Sequence, residues 1–273
     1  MSGGYRGLFY GISLLPLLAG TVYALAYSLG LAGIGAPAFT TGYWALVLQS
    51  PETWISLLLS LAIALAVVIT AVPVALLLVL NYSEVLENPV IRYLLFLPVS
   101  VPPLIAAFMG TEWLGAGGMT ARAALVATGG VMPSLINNYW HAGIFITLTF
   151  MSIPFLTILL WQYSRAEKLS GLAELATSLG ATRRQILFRV AIPVLLNRAL
   201  PQIGLMFVFL FGAYEVPLLL GMQSPRMISV LIAHKFSKFD LADIPHAYAL
   251  TVLYALVVSI IAWLVSRTNR EAA

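Results

Sequence analysis

Six apolar windows, at residues 8–29, 53–80, 91–112, 139–162, 199–221 and 246–266, take up most of this chain. Each approaches or exceeds the roughly 20 residues a helix needs, at about 1.5 Å per residue, to cross a bilayer. Backbone groups inside the hydrocarbon find no water, so each window must satisfy its own hydrogen bonds as a helix. The expectation is an all-α membrane protein with six transmembrane helices, forming a single domain over residues 1–273. Charge agrees. Only 9% of the 273 residues are charged, against about a quarter in an average globular protein. That argues against a soluble domain. The window from Thr53 to Leu80 is longer than a perpendicular span and is expected to tilt or protrude. The first window is too long for a signal-peptide core and has only Arg6 before it. It is therefore expected to be retained, although small residues at Gly35–Ala38 follow it.

Lysine and arginine set the orientation. With the N-terminus inside, Arg6, Arg92, Arg165, Lys168, Arg183, Arg184, Arg189, Arg198, Arg267 and Arg270 are cytoplasmic, and Arg122, Arg226, Lys235 and Lys238 are outside. The bias favours both termini in the cytoplasm, and most of it lies between Arg165 and Arg198. The short loop with Arg92 also holds Glu84 and Glu87, and decides nothing alone.

Prolines recur in the windows, at 73, 98, 102, 103, 154 and 217. Each removes a backbone donor and favours a kink. They fit a bundle bent around a pathway, and equally the ordinary proline content of membrane helices. Two outer loops, Glu112–Asn138 and Gln223–Pro245, are long enough to receive an external partner. The first is expected to hold a short helix near Thr120–Ala127. Gly7 and Gly11 are spaced for close helix packing.

Several chemistries lack their residues. There is no cysteine, hence no disulfide, thiolate metal site or cysteine nucleophile. No G-x-x-x-x-G-K-[ST] is present, so the chain is not its own P-loop ATPase. H-E-x-x-H and G-x-S-x-G are also absent. The histidines at 141, 234 and 246 are scattered, and Asp243 with His246 reads as an ordinary polar pair. The chain is expected to be no enzyme and to hold no cofactor or metal. A nucleic-acid partner is not expected.

The segment between windows four and five, residues 163–198, is more specific. Leu172, Leu175, Ala176 and Leu179 share one face of a short helix, with Ser170 expected as its N-cap. Gly180 sits where the helix must stop and turn. Thr182 and Gln185 form a capping-box pattern that starts a second helix, and Pro193 is expected to end or kink it. Helix, glycine turn and helix make a preformed docking element. A basic amphipathic loop lying on anionic lipid is the plainer reading.

Glu174-Leu175-Ala176, three residues, Gly180, nine residues, Val190, one residue, then Ile192-Pro193 resembles the EAA motif of ABC importer permeases. That family's pattern is Glu-Ala-Ala, three residues, Gly, nine residues, Ile, one residue, Leu-Pro. The departures are Leu175, Val190 and Ile192, each apolar for apolar. The resemblance implies a MetI-like type I permease with a coupling helix docked on a separate ATP-binding subunit, through Glu174, Ala176, Gly180 and Ala181, with Arg183 assisting. It also implies two ATP-binding subunits, a second permease (related or identical) and an extracytoplasmic substrate-binding protein. The setting would be a bacterial or archaeal cell (inner) membrane.

Glu215 is the costly residue, an acid within the fifth apolar window. An acid at mid-helix costs about 2.5–3.5 kcal/mol on insertion scales, and usually faces a polar pathway or a partner. Pro217, two residues on, is expected to open the helix there. Glu215 either hydrogen-bonds a neighbouring helix or faces a translocation cavity. The stretch Gly212–Gly221 resembles a span-five signature of the spermidine/putrescine branch of these permeases, with Tyr214 in place of a glycine. That implies a substrate pathway at Tyr214 and Glu215, and a polyamine or other small amine as cargo. The rival classes are a secondary transporter or channel, which calls for inverted repeats and ion-coupling acids, and a membrane-embedded enzyme, which calls for a clustered catalytic set.

Overall fold

The computed structural model describes residues 3–33, 38–130, 133–238 and 243–271. Most of the Gly35–Ala38 stretch, and Asp240 in the second outer loop, fall outside them. In chain order the helices are α1 (Gly3–Ser28), α2 (Gly42–Gln49), α3 (Pro51–Asn81), α4 (Ser83–Glu87), α5 (Pro89–Ser100), α6 (Pro103–Leu114), α7 (Met119–Thr128), α8 (Ala142–Ala166), α9 (Leu169–Ser178), α10 (Arg183–Ile186), α11 (Ile192–Phe211), α12 (Glu215–Leu220), α13 (Ile228–Phe236) and α14 (Asp243–Glu271). A π-helical turn, Leu187–Ala191, joins α10 to α11. No strand occurs among the described residues.

Four helical runs are long and apolar enough to cross a membrane: Pro51–Asn81, Ala142–Ala166, Arg183–Phe211 and Asp243–Arg267. A fifth crossing requires Pro89–Ser100 and Pro103–Thr128 together, and these meet at 95°. The first window corresponds to α1, a helix of 26 residues from Gly3 to Ser28. The fold is helical as expected, with four or five spans that meet the length criterion among the described residues.

The break in the third window has a local cause. A residue before proline is pushed out of the helical region. Val101, before Pro102, is extended at φ −77°, ψ 123°, and Pro102, before Pro103, follows at φ −57°, ψ 141°. Pro73, Pro98 and Pro154 instead lie inside helices that continue past them. The short outer helix appears as α7. Three described elements fall outside both the windows and the expected loop helices, α2, α4 and α13, and α13 buries Ile228, Val230 and Leu231.

The chain divides into two compact units. One comprises Met1–Leu58 with Met227–Ile260. Its centre is aromatic: Tyr27 stacks on Tyr248 with centroids 4.4 Å apart, and Phe236 meets Tyr248 edge-on at 5.0 Å. The Trp44 indole N–H donates to the Ser28 hydroxyl at 3.1 Å, and Lys235 pairs with Glu52 at 3.5 Å. Lys238 meets the Asp243 carboxylate at 2.8 Å. Gly11 has only open space where a Cβ would project, so the Gly7–Gly11 spacing does not mark close packing within this chain at Gly11.

The other unit comprises Leu59–Arg226 with Ile261–Ala273 and carries both candidate sites. Along its part of α3, Ala64, Val67, Ala71 and Ala75 are fully buried, while Leu65, Ile69 and Leu77 are exposed. Small residues inward and leucine outward is the membrane arrangement, where close backbone approach rather than hydrophobic burial drives helix packing. Gly204 on α11 gives the tightest case: a Cβ there would lie 2.3 Å from Val265 Cγ1 and 3.2 Å from its Cβ. Overpacking of this kind costs typically about 1–3 kcal/mol. Gly204→Ala is therefore expected to lower the thermal unfolding midpoint in detergent, and Val265→Ala in the same chain is expected to restore most of the loss. Additive damage in the double variant would show that the two residues do not meet.

Candidate functional site

The first site is the loop from α8 to α11. α8 ends at Ala166, and Lys168 at φ 48°, ψ 48° turns the chain directly into α9. The helix starts one residue before Ser170, so Lys168 and not Ser170 occupies the N-cap. At its other end the Ala181 amide donates to the Ala176 carbonyl at 3.0 Å, and the Gly180 amide to Thr177 at 2.9 Å. That is the Schellman pattern, which needs a left-handed residue after the helix. Gly180 supplies it at φ +83°. Thr182 and Gln185 then close a capping box: the Gln185 amide donates to the Thr182 hydroxyl and the Thr182 amide to the Gln185 side chain, the latter at 2.8 Å.

Pro193 does not end the second helix, which runs on to Phe211. A proline lacks an N–H and its ring crowds the carbonyl four residues back, here Arg189. The π turn Leu187–Ala191, directly ahead of it, widens the helix at that carbonyl. Polar links tie the loop to its surroundings. Arg165 pairs with Glu87 at 2.5 Å and Arg198 with Glu167 at 2.6 Å. Arg183 reaches Asn81 at the end of α3, at 3.5 Å.

The face that α9 turns outward is apolar. Leu175 is 60% and Leu179 82% exposed, with Leu172 at 38%. Glu174 and Gly180 are exposed, and Ala176 and Ala181 half-buried. A groove of about 350 Å³ beside the turn is lined by Leu179, Gly180, Ala181, Gln185, Arg189 and Val190.

The second site is a cavity of about 570 Å³ walled by α5, α8, α11 and α12. The break that opens it lies before Glu215, not at Pro217. Continuing α11 would bring the Pro217 ring against the carbonyl of Ala213 and leave that carbonyl without its donor. The helix instead stops at Phe211, passes through Gly212 and Tyr214 (φ −118°, ψ −53°), and restarts as α12. Pro217 then sits in a first turn, where its missing N–H costs nothing. Glu215 occupies the same turn, a position a helix dipole favours for an acid.

Tyr214 and Glu215 both line the cavity, with Ser152 and Gln202 as the other polar side chains and apolar groups such as Phe155 and Phe209 around them. Glu215 is the only formally charged residue of the lining. Among the described residues it forms no ion pair and no side-chain hydrogen bond, so the alternative of an acid bonded to a neighbouring helix finds no partner. Gln202 went unremarked in the sequence, although a lone amide in an apolar run is a recognisable signal. Its Oε1 is buried with no hydrogen-bond partner.

One compact unit thus holds a half-open cavity at the break between α11 and α12 and an exposed loop closed by two caps on either side of Gly180. Residues 71–270 match the family described as binding-protein-dependent transport system inner membrane component, and the chain belongs to that family. It is 27% identical over 186 residues to the molybdenum transport system permease protein ModB of Mycobacterium bovis and of Mycobacterium tuberculosis, covering 67% of this chain and 66% of each relative. The chain thus spans just under two thirds of the curated relatives it matches. Its fold is similar to a crystal structure of a bacterial ABC transporter involved in import of the acidic polysaccharide alginate, with TM-score 0.73, 17% identity, and 97% and 92% of the two chains covered. A second structure, of a bacterial alginate ABC transporter in complex with an alginate pentasaccharide-bound periplasmic protein, gives a TM-score of 0.70 at 17% identity, covering 97% of this chain and 91% of the other. The family match makes the chain a membrane component of a binding-protein-dependent transport system, and the alginate-transporter structures bear on its fold alone.

Proposed function

We propose that this chain is the permease subunit of an ATP-driven ABC importer. In this reading α9 is its coupling helix, docked on a separate ATP-binding subunit. The observation that carries the proposal is the row of exposed leucines along α9 and its C-cap, Leu172, Leu175 and Leu179, on a helix closed at its C-terminal end by the Gly180 turn and left uncovered by the rest of the chain. A solvated loop has no use for such a face, and a purely lipid-binding one has no use for the double capping. Glu174, Ala176, Gly180 and Ala181 form the contact. Arg183, held by Asn81, serves as a brace within the chain as much as a contact residue. The working complex has two ATP-binding subunits, a second permease and an extracytoplasmic binding protein, with both termini of this chain in the cytoplasm.

The chain has no cysteine, so a single introduced thiol reports cleanly. Leu179→Cys in the co-expressed complex is expected to cross-link to the ATP-binding subunit and to be labelled from the cytoplasmic side. Val126→Cys, on α7 and 89% exposed, is expected to do neither and to be labelled from outside. Cross-linking only to lipid or to other copies of this chain would overturn the coupling assignment.

The cargo proposal rests on the cavity. A wall whose one formal charge is a carboxylate repels anions and attracts cations, and Tyr214 adds a ring face suited to an ammonium group. We assign a cation of the small-amine class to this pathway, distinct from the acidic polysaccharide of the alginate transporters.

A further inference from the structure

A second pocket lies between α5 and α8, at the end of the bundle from which α9 emerges. It measures about 100 Å³. Its polar lining is Arg92, Thr157 and Gln162, with Trp161 beside them and Leu95 and Phe96 among its apolar walls. Two guanidiniums flank the tryptophan: Arg92 Cζ lies 5.0 Å and Arg165 Cζ 6.0 Å from the Trp161 ring centroid.

The two arginines differ in what neutralises them. Arg165 has the Glu87 carboxylate at 2.5 Å. Arg92 has no ion-pair partner among the described residues, and its Nε is buried without a hydrogen-bond acceptor. A guanidinium has five donors and no acceptor capacity. The complement Arg92 lacks is therefore an oxyanion. Thr157 does not supply it: its hydroxyl is neutral and donates to the Ile153 carbonyl at 2.8 Å. Arg92 is half-buried with its Nε shielded from water, so an oxyanion reaching its guanidinium gains a charge-assisted hydrogen bond.

Position narrows the ligand. Arg92 is the fourth residue of α5, and Trp161 and Gln162 lie in the last turns of α8. The ends of membrane helices sit at the depth of the headgroups, where tryptophan also settles, and basic pockets between spans bind anionic lipid there. The guanidinium fork matches the tetrahedral oxygens of phosphate. The pocket is large enough for such a group and too small for an acyl chain.

We propose that this pocket binds a phosphate group, carried by an anionic phospholipid at the bilayer surface or present as free phosphate. Arg92 donates to its oxygens, the Gln162 amide adds a donor, and Trp161 holds the guanidinium plane. Phosphate bound here ties the start of α5 to the end of α8, directly ahead of the turn into α9. The proposal needs only the membrane setting of the family, and stands apart from the docking of α9.

The test uses the full permease complex in neutral detergent. Binding of phosphatidylglycerol, phosphatidylcholine and inorganic phosphate is followed by native mass spectrometry and by the shift in thermal unfolding. Phosphatidylglycerol is expected to be retained and stabilising, phosphatidylcholine not, with binding about 10- to 100-fold weaker in Arg92→Gln. Inorganic phosphate that reproduces the stabilisation with the same dependence on Arg92 identifies the free anion as the source. If Arg92→Gln does not assemble, Gln162→Leu and displacement of phosphatidylglycerol by phosphate on the unaltered complex decide the matter. Equal binding of the neutral lipid, or undiminished binding by the variants, overturns the proposal.

Discussion

Replacing Gly180 with leucine is expected to leave the permease folded in the membrane while reducing substrate-stimulated ATPase activity of the complex by about tenfold or more. The stability cost is bounded by the turn. Gly180 sits at φ +83°, and an L-residue held there costs roughly 1–2 kcal/mol. A Cβ at this position meets nothing within 4 Å in the chain, so no internal clash adds to that. The larger loss comes from outside, where a side chain fills the groove beside Leu179 and Ala181. A loss of 1.4 kcal/mol in docking already weakens it tenfold.

Two causes, strain and obstruction, are separated by a series. Asparagine tolerates the left-handed region but is bulky, whereas alanine is small but strained there. If docking is obstructed, Gly180→Asn and Gly180→Leu lose the ATP-binding subunit in a pull-down while Gly180→Ala keeps it. If the turn is what matters, Gly180→Ala suffers and Gly180→Asn is spared. Full coupling in Gly180→Leu, with the ATP-binding subunit bound, would remove Gly180 from the interface. Under the coupling proposal, rigid-body transmission through α9 requires a stiff joint, a part the two caps around Gly180 are suited to play.

The loop was legible because its signals are local. A glycine after an apolar face and Thr-x-x-Gln before the next helix act within a few residues of themselves. The same local logic, applied to Ser170, places the start of α9 two residues too late. Ser170 is a good capping residue, but the two-residue turn after Ala166 leaves no room for it outside the helix, and Lys168 takes the position in a left-handed conformation. Pro217 was read as the place where the fifth window opens. A proline acts on the carbonyl four residues earlier, so the break belongs at Ala213 and falls there. Pro193 obeys the same rule but is absorbed by a π turn, which no residue pattern announced.

The cavity could not be read from the sequence, because its wall is assembled from α5, α8, α11 and α12. Gln202 and Glu215 are 13 residues apart in the chain and line one cavity, on either side of the break that follows α11. The second pocket is similar: Arg92 counted as one more cytoplasmic charge until α8 supplied Trp161. α13 was missed for the opposite reason. Its apolar run is too short to span a membrane, and only tertiary packing shows that Ile228 and Leu231 are buried.

Glu215→Gln is expected to abolish stimulation of the complex by amines, with apparent affinity reduced about 10- to 100-fold. That figure follows from a charge-assisted hydrogen bond worth about 1.5–3 kcal/mol, at 1.4 kcal/mol per tenfold. Glutamine keeps the shape and the hydrogen-bonding capacity and removes only the charge. Glu215→Asp keeps the charge and moves it back along the side chain, so it should retain part of the response. The measurement is ATPase activity in nanodiscs, with the binding protein added and putrescine, spermidine, a neutral sugar and an acidic oligosaccharide as solutes. A rival role for Glu215 exists in the first turn of α12, where an acid suits the helix dipole by about 0.3–1 kcal/mol. That role predicts a lower unfolding midpoint in Glu215→Gln and an equal effect on every solute. An amine-specific loss at unchanged stability assigns Glu215 to the pathway. Stimulation by the acidic oligosaccharide, undiminished in Glu215→Gln, would refute the cationic cargo while leaving the permease and its coupling helix in place.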